Sequence, residues 1–456
     1  MKKYFASYWI RSAFYVFLQR FSLTFFGLIN FIVLIRHLSK PQMGVWALFL
    51  IVVTNVFEST KSALLKNAHI RYVTMGKDSP EKSAIASTSL LINASITFLF
   101  IGFILLFGTW LSTALHTGTE LSDMLKWFIP GMICMIFFSH FEAIQQSHFD
   151  FKGVFAGNLV RQATFFILIL QDYLRGSPYS LNSLAIYQGI SIMAGVLTLL
   201  LFSRKYLLFR FDPTRGWTKK IFSYGGFIFG SGVISTVYSN LDQILTAALT
   251  TSPSYVATYN AATRLNNFID IPSYAAGEIL FPKMSQASVA EGVGKVRYFY
   301  ERMVSILLAV IFPLAVFILL FPKFVIILIA GKQYESAALI LQLYILASLL
   351  GPLQNQAANT LNSLGRTALC FTLNAVTLAA KLGITFVCLR TIGFYGAAIA
   401  TLITALLSGI FWYFIMNRQI GVNLLTIFRY FWDNYRTAWT TGMKIIGRLR
   451  KVQPMV

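Results

Sequence analysis

Apolar runs long enough to cross a bilayer recur from one end of this 456-residue chain to the other. A membrane-spanning helix needs roughly 20 mostly apolar residues. Twelve stretches meet that length: 13–36, 44–66, 84–110, 124–147, 154–174, 181–202, 221–249, 256–282, 303–330, 335–362, 367–389 and 396–417. The chain is therefore expected to be an all-α polytopic membrane protein. Composition excludes the alternative of two or three soluble domains. Apolar residues make up 56% and charged ones 12%, against about 25% charged in soluble domains. The N-terminal apolar run exceeds the 7–15 residues of a signal-peptide core and lacks a following small-residue cleavage site, so it is expected to remain as the first span.

A net charge of +22 in a soluble chain would point to nucleic acid. Here the positive charges follow topology. An even number of spans puts both termini on one side, and the positive-inside rule identifies it. With cytoplasmic termini, 26 of the 38 Lys and Arg residues fall in inside segments and 6 outside. The longest inside loop, 203–220, divides the chain into an N-lobe over 1–202 and a C-lobe over 221–417, six spans each, expected to be related by a pseudo-two-fold axis. Paired lobes of this kind carry a site between them in many transporters. Setting Pro41 on Pro253 aligns Asn30 with Asp242, and one residue of slip brings Trp46 onto Tyr259. Beyond the last span lies a basic tail, 418–456. In it Leu424, Ile427, Phe428, Phe431, Tyr435 and Trp439 fall on one helical face, a pattern that suits a helix in the cytoplasmic headgroup layer.

Charge at membrane depth is costly and marks a watery cavity or a partner. It occurs at Arg20, Glu58, Lys61, Arg161, Asp242, Arg264, Asp270 and Lys381. Arg161 lies about two turns from the cytoplasmic edge and is expected to snorkel. Glu58 and Lys61 are three apart on one face and either neutralise each other or line the cavity. Arg20, Arg264 and Lys381 have no opposite charge three or four positions away. They pair across helices, as Arg264 with Asp242, or face a cavity. An arginine cavity suits an anionic cargo, because the guanidinium fork binds phosphate oxygens bidentately. No catalytic constellation emerges. Cys134, Cys370 and Cys388 have neither disulfide nor metal spacing, no P-loop follows the glycines, and the five histidines lie mostly at span edges or in loops, expected not to cluster.

Three pieces of sequence carry a family resemblance. They are Leu38-Ser39-Lys40-Pro41-Gln42-Met43-Gly44-Val45-Trp46, then Asn240-Leu241-Asp242-Gln243 with Tyr259-Asn260-Ala261-Ala262-Thr263-Arg264-Leu265 and Phe281-Pro282-Lys283-Met284-Ser285, and Gly393-Phe394-Tyr395-Gly396-Ala397-Ala398. Together they resemble the polysaccharide-transporter branch of the flippase and multidrug-exporter (MOP, MATE-like) superfamily. That branch holds the Wzx-like oligosaccharide flippases and, more distantly, the lipid II flippase. The resemblance implies a polyprenyl-pyrophosphate-linked oligosaccharide as cargo and a cavity lined by spans 1, 2, 7 and 8. It also implies a phosphate-binding role for Arg264, which matches an arginine of the lipid II branch; Arg20 and Asn30 stand where that branch has further basic residues.

The chain is thus expected to move such a lipid-linked glycan from the cytoplasmic to the outer leaflet by alternating access, without enzymatic activity. The expected contacts are Arg264, Arg20, Lys61, Lys381 and Asn30, with Asp242, Glu58 or Asp270 as charge partner or site for a coupling proton or Na⁺. The membrane potential is another available drive. No metal or organic cofactor is expected. Partners would be membrane lipids and the polymerase and glycosyltransferases of the same pathway, in a bacterial or archaeal plasma membrane. The alternatives are a multidrug–cation antiporter on the same fold, a glycan polymerase or ligase, which would need a substantial outside loop, and a non-transporting component of glycan assembly.

Overall fold

The computed structural model describes residues 2–75, 78–176, 179–207, 211–250 and 252–451, and among these all regular structure is helical. Residues Met1–Ala257 form one compact unit and Thr258–Val456 a second. The first holds α1 (Lys2–His37), α2 (Lys40–Leu50), a π-helical segment (Ile51–Glu58), α3 (Ser59–Met75), α4 (Ser79–Ala114), α5 (Glu120–Trp127), α6 (Ile129–Ser147), α7 (Phe151–Arg175), α8 (Leu181–Ser203) and α9 (Arg215–Leu249). Starting at the end of that unit, α10 (Pro253–Ala290) runs on into the second. There follow α11 (Val293–Leu320), α12 (Pro322–Ala330), α13 (Ala337–Ser348), α14 (Gly351–Ser363), α15 (Thr367–Ile392), α16 (Gly396–Ile420) and α17 (Leu424–Lys451).

Every expected span falls on helical structure, span 2 running through α2, the π segment and α3, and span 9 crossing from α11 into α12. Eight stretches among the described residues are long and apolar enough to cross a membrane, and the pairs α5–α6, bent by 50°, and α13–α14, bent by 42°, bring the number to ten. Spans 7 and 8 fall on α9 and α10, of 35 and 38 residues. The side chains of 274–283 on α10, including the Phe281-Pro282-Lys283 piece of the family resemblance, lie outside the described residues.

Local chemistry sets the boundaries. Ser39 and Gln42 form a capping box at the start of α2, with Pro41 in its first turn, so two donors that the helix leaves open are satisfied. Asp78 accepts from the Glu81 N–H at 2.9 Å to start α4. Pro130, just inside α6, and Pro352, just inside α14, each lack the N–H that would continue the preceding helix across the bend. Gly176 and Gly421 close α7 and α16 with positive φ of 65° and 72°, a conformation that costs glycine little.

In the first unit, Trp46 of α2 stacks on Phe165 of α7, with ring centroids 5.8 Å apart. Gly157 of α7 lies so close to Leu199 of α8 that a Cβ would intrude on the leucine side chain, the close approach that small residues permit in membrane bundles. Here α9, which begins beyond the long inside loop, packs among residues 1–257. Its Ile221 joins Leu64, Leu65 and Ala68 in one apolar cluster, and its Asn240 accepts from Asn55 of the π segment at 2.9 Å. Gly44 abuts the backbone of Pro253, leaving no room for a side chain. The two prolines aligned in the sequence thus mark segments that meet.

The second unit is built around Tyr300, Val304, Ala357, Leu361, Trp412 and Met416, with Ile427 of α17 in the same cluster. Two resemblance motifs join there. Tyr259 of α10 is fully buried, donates to the Phe394 carbonyl at 2.6 Å and accepts from the Ala398 N–H at 3.2 Å. The amphipathic tail helix divides its apolar face. Tyr435 donates to the Ala309 carbonyl of α11 and Phe431 meets Phe312 edge-on, while Leu425, Phe428, Trp432 and Trp439 stay exposed.

Candidate translocation site

In the first unit, Asn30 of α1 and Asp242 of α9 are buried at 6% and 4% exposure, so both polar groups lie inside the helix bundle. Arg20 of α1 is exposed. Glu58 and Lys61 choose between their two readings by pairing, Nζ to Oε2 at 2.9 Å. The π segment places them there. Its wide turn ends with the Ser59 hydroxyl donating five residues back to the Thr54 carbonyl at 3.1 Å, a distortion of the helical ladder that is frequent at functional sites.

In the second unit, Arg264 of α10 is partly buried. Lys381 of α15 is 3% exposed, a cation kept among apolar helices. Asp270 sits one turn after Asn266, whose Nδ2 reaches its carboxylate at 3.4 Å and whose Oδ1 accepts from Ser348 of α13 at 2.7 Å. The residues expected to grip the cargo thus divide into Arg20, Asn30 and Lys61 in one unit and Arg264 and Lys381 in the other.

Two expectations need correction. Arg161 does not snorkel: its guanidinium lies 5.2 Å from the centre of the Phe138 ring, its Nε is buried, and Gly195 of α8 packs against its Cβ. Nor are the histidines scattered. His69 of α3 and His140 of α6 face each other with ring centroids 5.5 Å apart and planes at 87°. They are 1% and 8% exposed. The sequence carried half of this signal, since Lys61, Ser62, Lys66 and His69 form a polar stripe at helical spacing on α3. It could not show that α6 lays His140 against that stripe. Among the described residues no group of three or more His, Cys, Asp or Glu is arranged to hold a metal.

A bundle of long apolar helices with ionisable groups buried among them is the architecture of a multi-pass membrane protein, and comparison with solved structures identifies the fold. The lipid II flippase MurJ in an inward closed conformation superposes with a TM-score of 0.76 at 12% identity, covering 95% of this chain and 93% of that one. An inward-facing multidrug MATE transporter of the MOP superfamily gives 0.76 at 14% identity, covering 88% and 94%. The fold is that of the MOP superfamily. The sequence profile of the family described as polysaccharide biosynthesis protein matches residues 33–339, and the chain belongs to that family. An uncharacterized membrane protein of Methanocaldococcus jannaschii is 24% identical over 208 residues, which span 45% of this chain and 41% of that relative.

Proposed function

We propose that the chain is a flippase. It moves a polyprenyl-pyrophosphate-linked oligosaccharide from the cytoplasmic to the outer leaflet by alternating access and catalyses no covalent chemistry. The observation that carries this reading is Arg264. Among the described residues it makes no hydrogen bond or ion pair, yet it is partly buried on α10. A charge at membrane depth is retained for a partner, and a phosphate supplies one that matches the guanidinium fork. Membership of a polysaccharide biosynthesis family supports a glycan cargo. An interior-negative potential favours outward movement of an anion by about 2.3 kcal/mol per charge per 100 mV.

The likeness to a multidrug transporter favours a second reading, export of organic cations. Such a cargo calls for an acid-dominated cavity. In this chain Glu58 is taken up by Lys61, and Lys381 and Arg264 add two basic groups at depth.

The test uses purified full-length protein in proteoliposomes with a fluorescent polyprenyl pyrophosphate, whose outer-leaflet fraction is bleached by dithionite. Complete bleaching in protein-containing vesicles against half in empty ones is expected. Half-bleaching in both, together with uptake of a cationic dye, would establish the rival. The conclusion extends to location and partners: a prokaryotic plasma membrane, and the glycosyltransferases and polymerase that make and consume the cargo.

A further inference from the structure

The tail helix α17 stays amphipathic after it has docked on the second unit. Contacts with α11 fix its rotation about its own axis. The Asn423 N–H, just before α17, donates to the Glu301 carboxylate at 2.9 Å. Asn434 donates to the Ser305 hydroxyl at 3.3 Å and Tyr435 to the Ala309 carbonyl, while Phe431 meets Phe312 edge-on. At 3.6 residues per turn, the side left open carries Leu425, Phe428, Trp432 and Trp439 within an arc of about 60°. Trp432 is 68% and Trp439 73% exposed. Arg429 and Arg436, both exposed, adjoin the edge of that arc. Among the described residues neither is held in an ion pair, although Asp433 lies within one turn of each.

Position decides what covers the open arc. The first turns of α11 hold Lys295, Arg297, Glu301 and Arg302, and from Met303 to Leu320 the helix has no charged residue. It is long and apolar enough to cross a membrane, so the change from charged to uncharged sequence marks the headgroup level. The tail helix is attached across that change. Its Tyr430 meets Tyr298 and lies beneath the Arg302 guanidinium, 5.3 Å from the ring centre, while Phe431 reaches Phe312 on the uncharged side. Lipid is therefore what the arc meets first, and tryptophans are favoured at that level, where one end of the ring is apolar and the other wet. Charge decides which lipid. Residues 418–456 hold seven Lys and Arg residues against one acid, Asp433. An amphipathic helix with such an excess is drawn to anionic headgroups, whereas a zwitterionic headgroup offers it no net charge.

We propose that α17 is a binding surface for anionic phospholipid in the leaflet on the side of the C-terminus. The aromatic arc enters the acyl-chain region, and Arg429 and Arg436 hold headgroup phosphates through the guanidinium fork. The two arginines are seven residues apart, about 10 Å along the helix axis, so they serve separate headgroups rather than one phosphate. The lipid bound here belongs to the surrounding leaflet and is not cargo. The surface goes beyond the flippase reading and does not rest on it.

The test uses the full-length chain in lipid nanodiscs and involves no transport. Trp432→Cys is introduced in a background where Cys134, Cys370 and Cys388 are replaced by serine or alanine, and is labelled with an environment-sensitive fluorophore. The nanodiscs hold phosphatidylcholine alone, or phosphatidylcholine mixed with phosphatidylglycerol. Lipids with a nitroxide on the acyl chain are expected to quench the probe more than a water-soluble quencher does, and phosphatidylglycerol to raise that lipid quenching. Adding Arg429→Gln/Arg436→Gln is expected to abolish the rise while the size-exclusion profile stays that of the parent. If the double variant does not fold, Arg436→Gln alone is expected to lose part of the rise. Quenching from water alone in both compositions overturns the membrane seating and points to a soluble partner. Lipid quenching that ignores phosphatidylglycerol, or a rise that survives loss of the arginines, overturns the anionic-lipid site. A probe shielded from both quenchers in a protein of dimeric mass overturns it in favour of a second copy of the chain.

Discussion

Arg264 carries the functional reading at the scale of single residues, and its rival role there is neutralising Asp242. The two roles predict different genetics. If Arg264 grips a pyrophosphate, Arg264→Ala is expected to lower flipping roughly ten- to a hundred-fold, the cost of one charge-assisted contact of about 1.5–3 kcal/mol, with normal insertion and yield. Arg264→Lys retains part of the activity, because a point charge replaces the planar fork. If Arg264 only neutralises Asp242, the alanine change strands a buried acid, and adding Asp242→Asn restores transport. The dithionite assay on the three variants decides, and recovery in the double variant removes the phosphate role. Charges at membrane depth were legible one by one, because any Lys or Asp inside an apolar run stands out. Their pairing was legible only along one helix, as for Glu58 and Lys61. The His69–His140 contact joins α3 to α6, and no spacing rule links positions 71 residues apart.

Element boundaries were readable wherever a local device marks them, such as the capping box at Ser39 or the prolines inside α6 and α14. The π segment over Ile51–Glu58 was not, since its apolar residues suit an ordinary helix equally well. The resemblance motifs prove to be joints between elements. Tyr259 bonds the start of α10 to the turn before α16, and Tyr259→Phe keeps the ring while leaving the Phe394 carbonyl and the Ala398 N–H without it. A loss of about 1–3 kcal/mol is expected, read as a lower thermal midpoint of the purified protein. An unchanged midpoint would mean that the hydroxyl contributes nothing to this joint. Gly44 makes the complementary case by having no side chain. In Gly44→Ala the new methyl would collide with the Pro253 carbonyl, and because backbone cannot swing aside like a flexible side chain, α2 must separate from the start of α10. Lower folded yield than for the neighbouring change Gln42→Ala is expected, measured by size-exclusion chromatography of the solubilised protein.

For the whole molecule, apolar length was enough to place ten of the twelve expected spans, those that are long and apolar enough to cross among the described residues, because hydrocarbon thickness imposes the same minimum on each. How helices share out between compact units was less legible. Charge density singled out the 203–220 loop as the divide, whereas the contacts of α9 group it with residues 1–257, since packing follows shape and small residues rather than the position of a polar loop. The orientation rests on charge alone and makes a direct prediction. Cysteines are introduced singly at Glu120, Ser254 and Thr214 in a background where Cys134, Cys370 and Cys388 are replaced by serine or alanine. The excess of Lys and Arg in the segments assigned inside puts Thr214, at the start of α9, in the cytoplasm, and puts Glu120 and Ser254, at the starts of α5 and α10, outside. In intact cells a membrane-impermeant maleimide is expected to label positions 120 and 254 and to spare 214 until the cells are permeabilised. Labelling of 214 with protection of the other two would invert the topology. The proposed direction of transport would invert with it, because an anion would then have to leave the leaflet that the membrane potential favours.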